Sequence, residues 1–386
     1  MAPELNFKTV GIVGAGPAGC ICAKFLSDSG VRVVVFEKGK ILGTILPTGG
    51  GKCNLAHAQY DFKELAKNYP RGEKFLYSVF SRFGTTEALE FFKSIGVETY
   101  TREDNRIFPV SNSSSDVRNK FLNAIQKADY IQENVTSIEK LDNGYKIKTN
   151  KSSYFFDIIV IATGGISKSN VLDKLNINII KPTQSLVGYI TEKDFSALAG
   201  VSIKDVKYKD LCGDILFTHK GISGPLIYTI SSYNARKEFP YTISLKLAEI
   251  GKTPQELLDK NAHKEIKNLI GQFVPKSFAS SLLDDLGISS DTECHKINGT
   301  IRDKIFNSLN NFEVIVTGKI PDSEVVTCGG INLNEINPKT LEAKKHPNLY
   351  FCGEVLDIDG LCGGFNLQNC WSTGYIVAQS IIDNLT

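Results

Sequence analysis

Three glycines, Gly14, Gly16 and Gly19, follow an apolar run in the spacing G-x-G-x-x-G, with Ala15, Pro17 and Ala18 between them, and Glu37 closes the next apolar run ahead of Lys38. In such a pattern the glycines permit a tight turn and close backbone approach to a pyrophosphate, which rests on the positive end of a helix, while the carboxylate accepts hydrogen bonds from ribose hydroxyls. Glycine turns also serve packing alone. Here the preceding run, the helical text, the spacing and the terminal acid together favour a dinucleotide. An acid at Glu37 disfavours a 2′-phosphate, and this unit by itself leaves NAD and FAD both open.

Three further segments bear on that choice. Residues 43–54, GTILPTGGGKCN, place Gly49, Gly50 and Gly51 in series after Thr48 and ahead of Lys52, Cys53 and Asn54. Such a loop is expected to lie flat and to donate backbone N–H groups along the ribityl and isoalloxazine portion of a flavin. Ala162, Thr163 and Gly164 end a continuous apolar run in the text ATGG. Near the C-terminus a strand ends at Gly353 and Glu354, and helical text opens around Asn366 or Leu367, just after Gly364 and Phe365. A helix N-terminus there would stabilise the negative charge that a reduced flavin gathers near its N1 and C2 carbonyl.

Proton-transfer candidates are few. His219 lies in FTHKGISGP and has the pKa range for acid–base work, although a lone loop histidine is as often structural. Lys52 could set positive charge beside a flavin or a substrate carboxylate, or be an ordinary surface lysine. Ser223 sits in no G-x-S-x-G elbow and reads as a turn residue. Cys53 has no partner cysteine at a useful spacing and reads as a packed thiol. His57, His263, His295 and His346 share no metal-ligand spacing, so no metal is expected. Trp371, Phe365 and Tyr375 read as core, with Phe365 also within reach of a flavin.

The elements that must position these residues follow from periodicity. Residues 9–37 read as strand, glycine turn, helix from about Ala18 to Ser29, and strand. TREDNRIFPV is a short strand or loop, and Ser114 or Ser115 is the expected N-cap of the helix that follows. Short alternating strands come next, with Asn143-Gly144 as a hairpin turn, and DIIVIATGG then returns to the first sheet as a strand covered on both faces. Between about Ser185 and Val326 further strands and a helical stretch from Pro254 to Asn310 read as an insertion.

Composition narrows the class. The 386 residues are 42% hydrophobic and 22% charged, enough to bury a sizeable core. Their formal net charge of +2 is spread evenly, so no nucleic-acid partner is expected. No apolar run approaches the ~20 residues that span a bilayer, and no secretory leader is apparent, so the expected compartment is the cytoplasm. The nine cysteines are odd in number and contain no C-x-x-C, which suits reduced thiols, with Cys20 and Cys22 as packing residues.

Several longer stretches, GAGPAG, TGGGKCN, RIFPVSNSSSDV, FTHKGISGP, TCGGINLNEINPKTLEAKKHPNLYFCGEVLDIDG and GGFNLQNCWSTGY, are similar to the BaiN-like bacterial FAD-dependent oxidoreductases, also known as aminoacetone oxidase-like or HI0933-like flavoproteins. The resemblance spans nearly the whole chain. It implies an α/β fold: a discontinuous Rossmann-like FAD-binding domain (1–186 and 327–386), an inserted β-barrel-like domain (187–251 and 311–326) and a helical subdomain (252–310). It places Gly14, Gly16, Gly19 and Glu37 on the AMP half and Thr48 to Asn54 along the flavin. Gly353, Glu354 and Asp359 would meet the ribityl and pyrophosphate, Gly364 to Leu367 the isoalloxazine, and Val135 would join the cofactor site.

Two departures stand out. The text after ATGG, ISKSNVLDKLNINIIKP, replaces a longer glycine- and threonine-rich stretch, and Thr44 stands where a basic residue is common. The implied activity is hydride transfer between a small organic substrate or NAD(P)H and an acceptor through one flavin. No second G-x-G-x-x-G follows a strand, so NAD(P)H would dock transiently. The resemblance allows a reductase of unsaturated ketones or an amine oxidase. The alternative is a structural or redox-sensing FAD, with the inserted domain binding a protein or RNA. Oligomeric state is not legible in these residues.

Overall fold

The computed structural model describes residues 8–165, 171–321 and 326–385. The chain divides into two compact units, one formed by residues 1–183 with 326–386 and the other by residues 184–325.

In the first unit, Thr9–Val13 (β1) leads into the helix Pro17–Asp28 (α1) and the strand Arg32–Phe36 (β2). The helix Ser114–Ala124 (α2) precedes Asp129–Ile131 (β3), and Ile158–Ile161 (β4) and Leu349–Phe351 (β5) complete a five-stranded sheet. Its order is β5-β4-β1-β2-β3 and every pairing is parallel. All four residues of β4 are buried, the pattern of a strand covered on both faces. The long helix Phe365–Leu385 (α3) lies against α1, and Gly374 makes that approach possible: a Cβ there would come within 2.4 Å of Ala18 O.

A two-stranded sheet of Ile179–Ser185 and Val326–Ile331 and two small antiparallel sheets accompany it. Val135–Lys140, Tyr145–Thr149 and Ser153–Phe156 form a meander around Asn143-Gly144, with Gly144 at φ +92°. Ala56–His57, Thr99–Thr101 and Arg106–Pro109 form the other, so TREDNRIFPV is a hairpin. The N-cap of α2 is Ser113, which accepts from Asp116 N, one residue before the expected pair. Ser114 is drawn away by a tertiary bond, its Oγ donating to Leu46 O at 2.8 Å.

The second unit is built on a six-stranded antiparallel sheet in the order Ser202–Tyr208, Leu211–Thr218, Gly221–Ser223, Tyr189–Thr191, Phe312–Lys319, Tyr241–Leu245. Its two edge strands meet through reciprocal main-chain bonds between Lys207 and Lys246, both 2.9 Å, so the sheet closes on itself and leaves no free edge there. The helices from Pro254 onward share one core with this barrel, where Phe278 stacks on Phe217 and meets Phe312 edge-on.

Candidate dinucleotide and flavin site

The glycine turn between β1 and α1 is tight for reasons of contact. Gly14 adopts φ +106°, and a Cβ on it would stand 2.3 Å from Ala162 O, at the end of β4. A Cβ on Gly19 would stand 1.9 Å from Gly14 O. Both positions therefore exclude any side chain. Gly16 differs: its nearest neighbour would be Thr44 Oγ1 at 3.9 Å, so no protein contact requires a glycine there. The open space leaves room for close approach by a group outside the chain, as a pyrophosphate would need. Pro17 occupies the first turn of α1, where its missing N–H costs nothing, and no acidic side chain competes there for an anion.

Glu37 closes β2 beside this turn. One carboxylate oxygen accepts from Ala15 N at 2.9 Å and the other from Gly39 N at 2.7 Å, so the backbone orients the acid. Lys38 is exposed next to it. From β4, Ala162 N donates to Val13 O at 2.8 Å, while Thr163 is exposed and Gly164 has φ +75°. Val135 is buried at the start of the meander, paired with Thr149.

The triple-glycine segment does not lie flat. Gly49, Gly50 and Gly51 have φ of 59°, 66° and 83°, forming a compact left-handed turn that closes when Cys53 N donates to Thr48 O at 2.9 Å. Thr48 Oγ1 is tied to Ile45 O. The reason is local: successive residues without Cβ can all enter the left-handed region. Lys52 is exposed, and Cys53 is fully buried, where desolvation pushes its thiol up to about 11 against a hydrogen bond from Thr48. A thiol in that state is a packing group, not a nucleophile.

The turn delivers Asn54 beneath the start of α3. Asn54 is 9% exposed and its Oδ1 has no hydrogen-bond partner, though it would stand 2.9 Å from a Cβ on Gly364. A buried acceptor left open at a helix start is the kind of group a polar ring edge can engage. Gly364 itself has φ +101°, and a Cβ on it would stand 2.4 Å from Ala56 O, so this junction is also closed to side chains. Together the open face at Gly16, the oriented Glu37 and the unpaired Asn54 fit an extended dinucleotide that ends in a polar ring system.

Several expected contacts are already engaged within the chain. The Asp359 carboxylate is fully buried in a two-pronged ion pair with the Arg71 guanidinium, a partner that no sequence signal indicated. Asn366 uses both ends of its carboxamide on the Gly360 backbone, closing the loop ahead of α3, so its side chain is structural. Phe365 is 3% exposed and stacked on His57 with ring centroids 4.6 Å apart, a core position rather than an open face. Leu367 is half-buried in the first turn of α3. Gly353 N donates to Thr373 Oγ1, and Glu354 accepts from Thr327 N. Trp371 is core, donating to Leu55 O.

His57, to which spacing gives no partner, has its Nδ1 3.1 Å from Gly363 O, and burial foremost lowers its pKa. His219 belongs to the second unit, exposed at the tip of the hairpin between Leu211–Thr218 and Gly221–Ser223. It borders an open cleft of about 200 Å³, lined also by Glu192, Lys193 and Asp194. Among the described residues no helix is long and apolar enough to cross a membrane.

Residues 8–380 match the family model described as the HI0933-like protein Rossmann domain. The chain is 27% identical to the ribosomal RNA dihydrouridine synthases of Escherichia coli and Haemophilus influenzae, each over 96% of this chain and 97% of the relative. It is 25% identical to the 3-dehydro-bile acid delta(4,6)-reductase of Clostridium scindens, over 96% of this chain and 98% of that one. A quinol fumarate reductase mutant from Escherichia coli superposes with a TM-score of 0.51 at 10% identity, over 98% of this chain and 70% of that chain, a likeness of fold alone.

Proposed function

The chain belongs to the HI0933-like protein Rossmann domain family and is an FAD-dependent oxidoreductase, and from that premise we propose that it reduces a carbon–carbon double bond conjugated to a carbonyl, with a uridine of ribosomal RNA as substrate. The observation that carries this reading is the likeness, along nearly the whole of both chains, to two ribosomal RNA dihydrouridine synthases. The bile acid reductase supports the same chemistry. Its name describes reduction in a system conjugated to a 3-oxo group, and dihydrouridine forms when the uracil double bond beside a carbonyl gains a hydrogen pair.

FAD, when bound and reduced by NADH or NADPH as the proposed donor, would supply the hydride and return to its oxidised form. The chain's residues bind and orient. In this reading Gly14 to Gly19, Glu37 and Lys38 take the AMP half, with Val135 nearby. Thr48 to Asn54 and Ala162 to Gly164 accompany the flavin, and Gly353, Glu354 and Asp359 shape the middle of the site. The first-turn amides of α3, from Gly364 to Leu367, favour negative charge on the ring. One substrate carbon gains the hydride and its neighbour a proton, while Lys52 adds positive charge; His219, on the second unit, is proposed as an acid–base group by its chemistry alone.

An RNA substrate departs from the expectation drawn from net charge. Near-neutrality argues against a broad phosphate-binding face, but choosing one nucleotide requires only a few local contacts. The test is to incubate the flavin-loaded chain with NADH or NADPH and unmodified ribosomal RNA, then read uridine mass by nuclease digestion and mass spectrometry. A nicotinamide-dependent gain of one hydrogen pair is expected. Reoxidation of the reduced flavin by a small conjugated enone, with RNA unchanged, would move the substrate to small molecules. Reduction of neither would sink the enzymatic reading and favour a structural or sensing flavin.

A further inference from the structure

A dinucleotide brings a pyrophosphate to the glycine turn, yet neither segment that forms the turn offers it a cation. No Lys or Arg occurs from Thr9 to Ala23 or from Ile41 to Gly51. The side chain nearest Gly16 is the neutral hydroxyl of Thr44. Helix amides and their dipole supply only part of what two phosphate charges attract.

Residues 41–46 are bonded on both sides. Leu42 N donates to Ala15 O at 2.8 Å, fixing one side to the glycine turn. On the other, Arg118 Nε donates to Ile41 O at 2.8 Å and Ser114 Oγ to Leu46 O at 2.8 Å, both from α2. Arg118 thus stands one residue pair away from the turn. Its guanidinium is half-buried, and among the described residues Nε makes its only hydrogen bond, leaving both Nη groups uncommitted. No ion pair links it to Glu37 or to any other described acid. Its charge nevertheless reaches the first turn of α1: Cys20, whose Sγ donates to Ala15 O, has its thiol pKa raised by burial first and by Glu37 second, while Arg118 pulls it down.

We propose that Arg118 is the phosphate-binding cation of the dinucleotide site, its two free Nη groups gripping the pyrophosphate from α2 while Nε holds residues 41–42 against the glycine turn. A planar guanidinium suits this task because its remaining donors match phosphate oxygens in pairs. A lone bond to Ile41 O would need no charge, and leaving a half-desolvated cation otherwise unused is unfavourable. The assignment rests on the FAD reading above.

The test compares ligands with and without phosphate on the full chain freed of flavin, by calorimetric titration with FAD, ADP and adenosine. Arg118→Gln keeps a donor for Ile41 O and removes the charge. It should weaken ADP and FAD about tenfold or more and leave adenosine within about twofold. Arg118→Lys, a point charge, should recover most of the ADP affinity, and the fall of ADP affinity with salt should be flatter in Arg118→Gln than in the parent. Equal ADP affinity in parent and Arg118→Gln, or equal losses for ADP and adenosine, overturns the assignment and leaves a structural arginine. If Arg118→Gln does not fold, the lysine variant decides: a flavin-free stability matching the parent with a few-fold loss of ADP affinity and unchanged adenosine affinity supports the assignment, and ADP affinity equal to the parent's, or collapse of both ligands' binding, overturns it. Failure of the parent to bind FAD or ADP at all removes the flavin reading itself.

Discussion

Two glycine-rich turns serve the same proposed cofactor and are built on opposite logic. At Gly14 and Gly19 the protein's own backbone leaves no room: Ala162 O and Gly14 O occupy the places where side chains would begin. At Gly50 and Gly51 a Cβ would meet nothing within 4 Å, and the glycines are required by φ values of 66° and 83° alone. The first turn is glycine by contact, the second by conformation. A contact-built turn is rigid because strand, turn and helix define each other. The second owes its shape to a left-handed path that any L-residue resists and to distant chain that packs on it, such as Phe108 beside Gly49.

The largest break in that comparison is Gly19→Ala. A methyl 1.9 Å from a backbone oxygen cannot be relieved by a rotamer change, so α1 must shift from β1. The expected cost is about 3 kcal/mol or more, seen as a large fall in the thermal midpoint of the flavin-free chain together with loss of yellow colour on purification. Gly51→Ala should be far milder. With open space around it, the cost is the left-handed conformation, about 1 kcal/mol, and Gly51→Asn should recover much of it. Equal losses for Gly19→Ala and Gly51→Ala would erase the distinction.

The same contrast explains what could be read from the residues. The unit at 9–37 was legible because everything that defines it lies within one short stretch, and the return of β4 was legible because a continuous apolar run has few other uses. The triple glycine forms a left-handed turn and not the flat loop its composition suggests, since glycine reports freedom without saying which conformation will be taken. Asp359 is assigned to the cofactor by resemblance, while its ion-pair partner Arg71 lies 288 residues away and carries no sequence signal. The sequence points to Ser114 or Ser115 as the cap, and a bond from Ser114 to Leu46 leaves that place to Ser113. Closure of the barrel depends on backbone bonds between two lysines, Lys207 and Lys246, whose side chains carry no hint of it. The bonds of Arg118 to Ile41 O and of His57 to Gly363 O belong to the same class, because sequence spacing does not bring these partners together.

The smallest effect probes the softer turn through His57, where the chain leaves Asn54 and meets the approach to α3. Burial lowers the His57 pKa below its ordinary value near 6.5, with the bond to Gly363 O opposing, the Arg106 charge adding to the fall and Asp104 opposing it. Below about pH 6.5 the unfolded chain therefore binds a proton that the native imidazole resists. The stability held by the neutral ring is complete above that value and is lost as pH falls through the lowered native pKa. His346 shifts in the same direction, also through burial first, so the parent's own acid sensitivity is a sum. Subtracting the pH profile of His57→Gln isolates one member. Because His57 is half-exposed, the difference in thermal midpoint between pH 7 and pH 5.5 should be small, roughly 1 °C, with the parent the more acid-sensitive chain. Identical profiles would mean that the Gly363 bond holds the ring equally well in both protonation states, and the second turn would then be as insulated from its surroundings as the first.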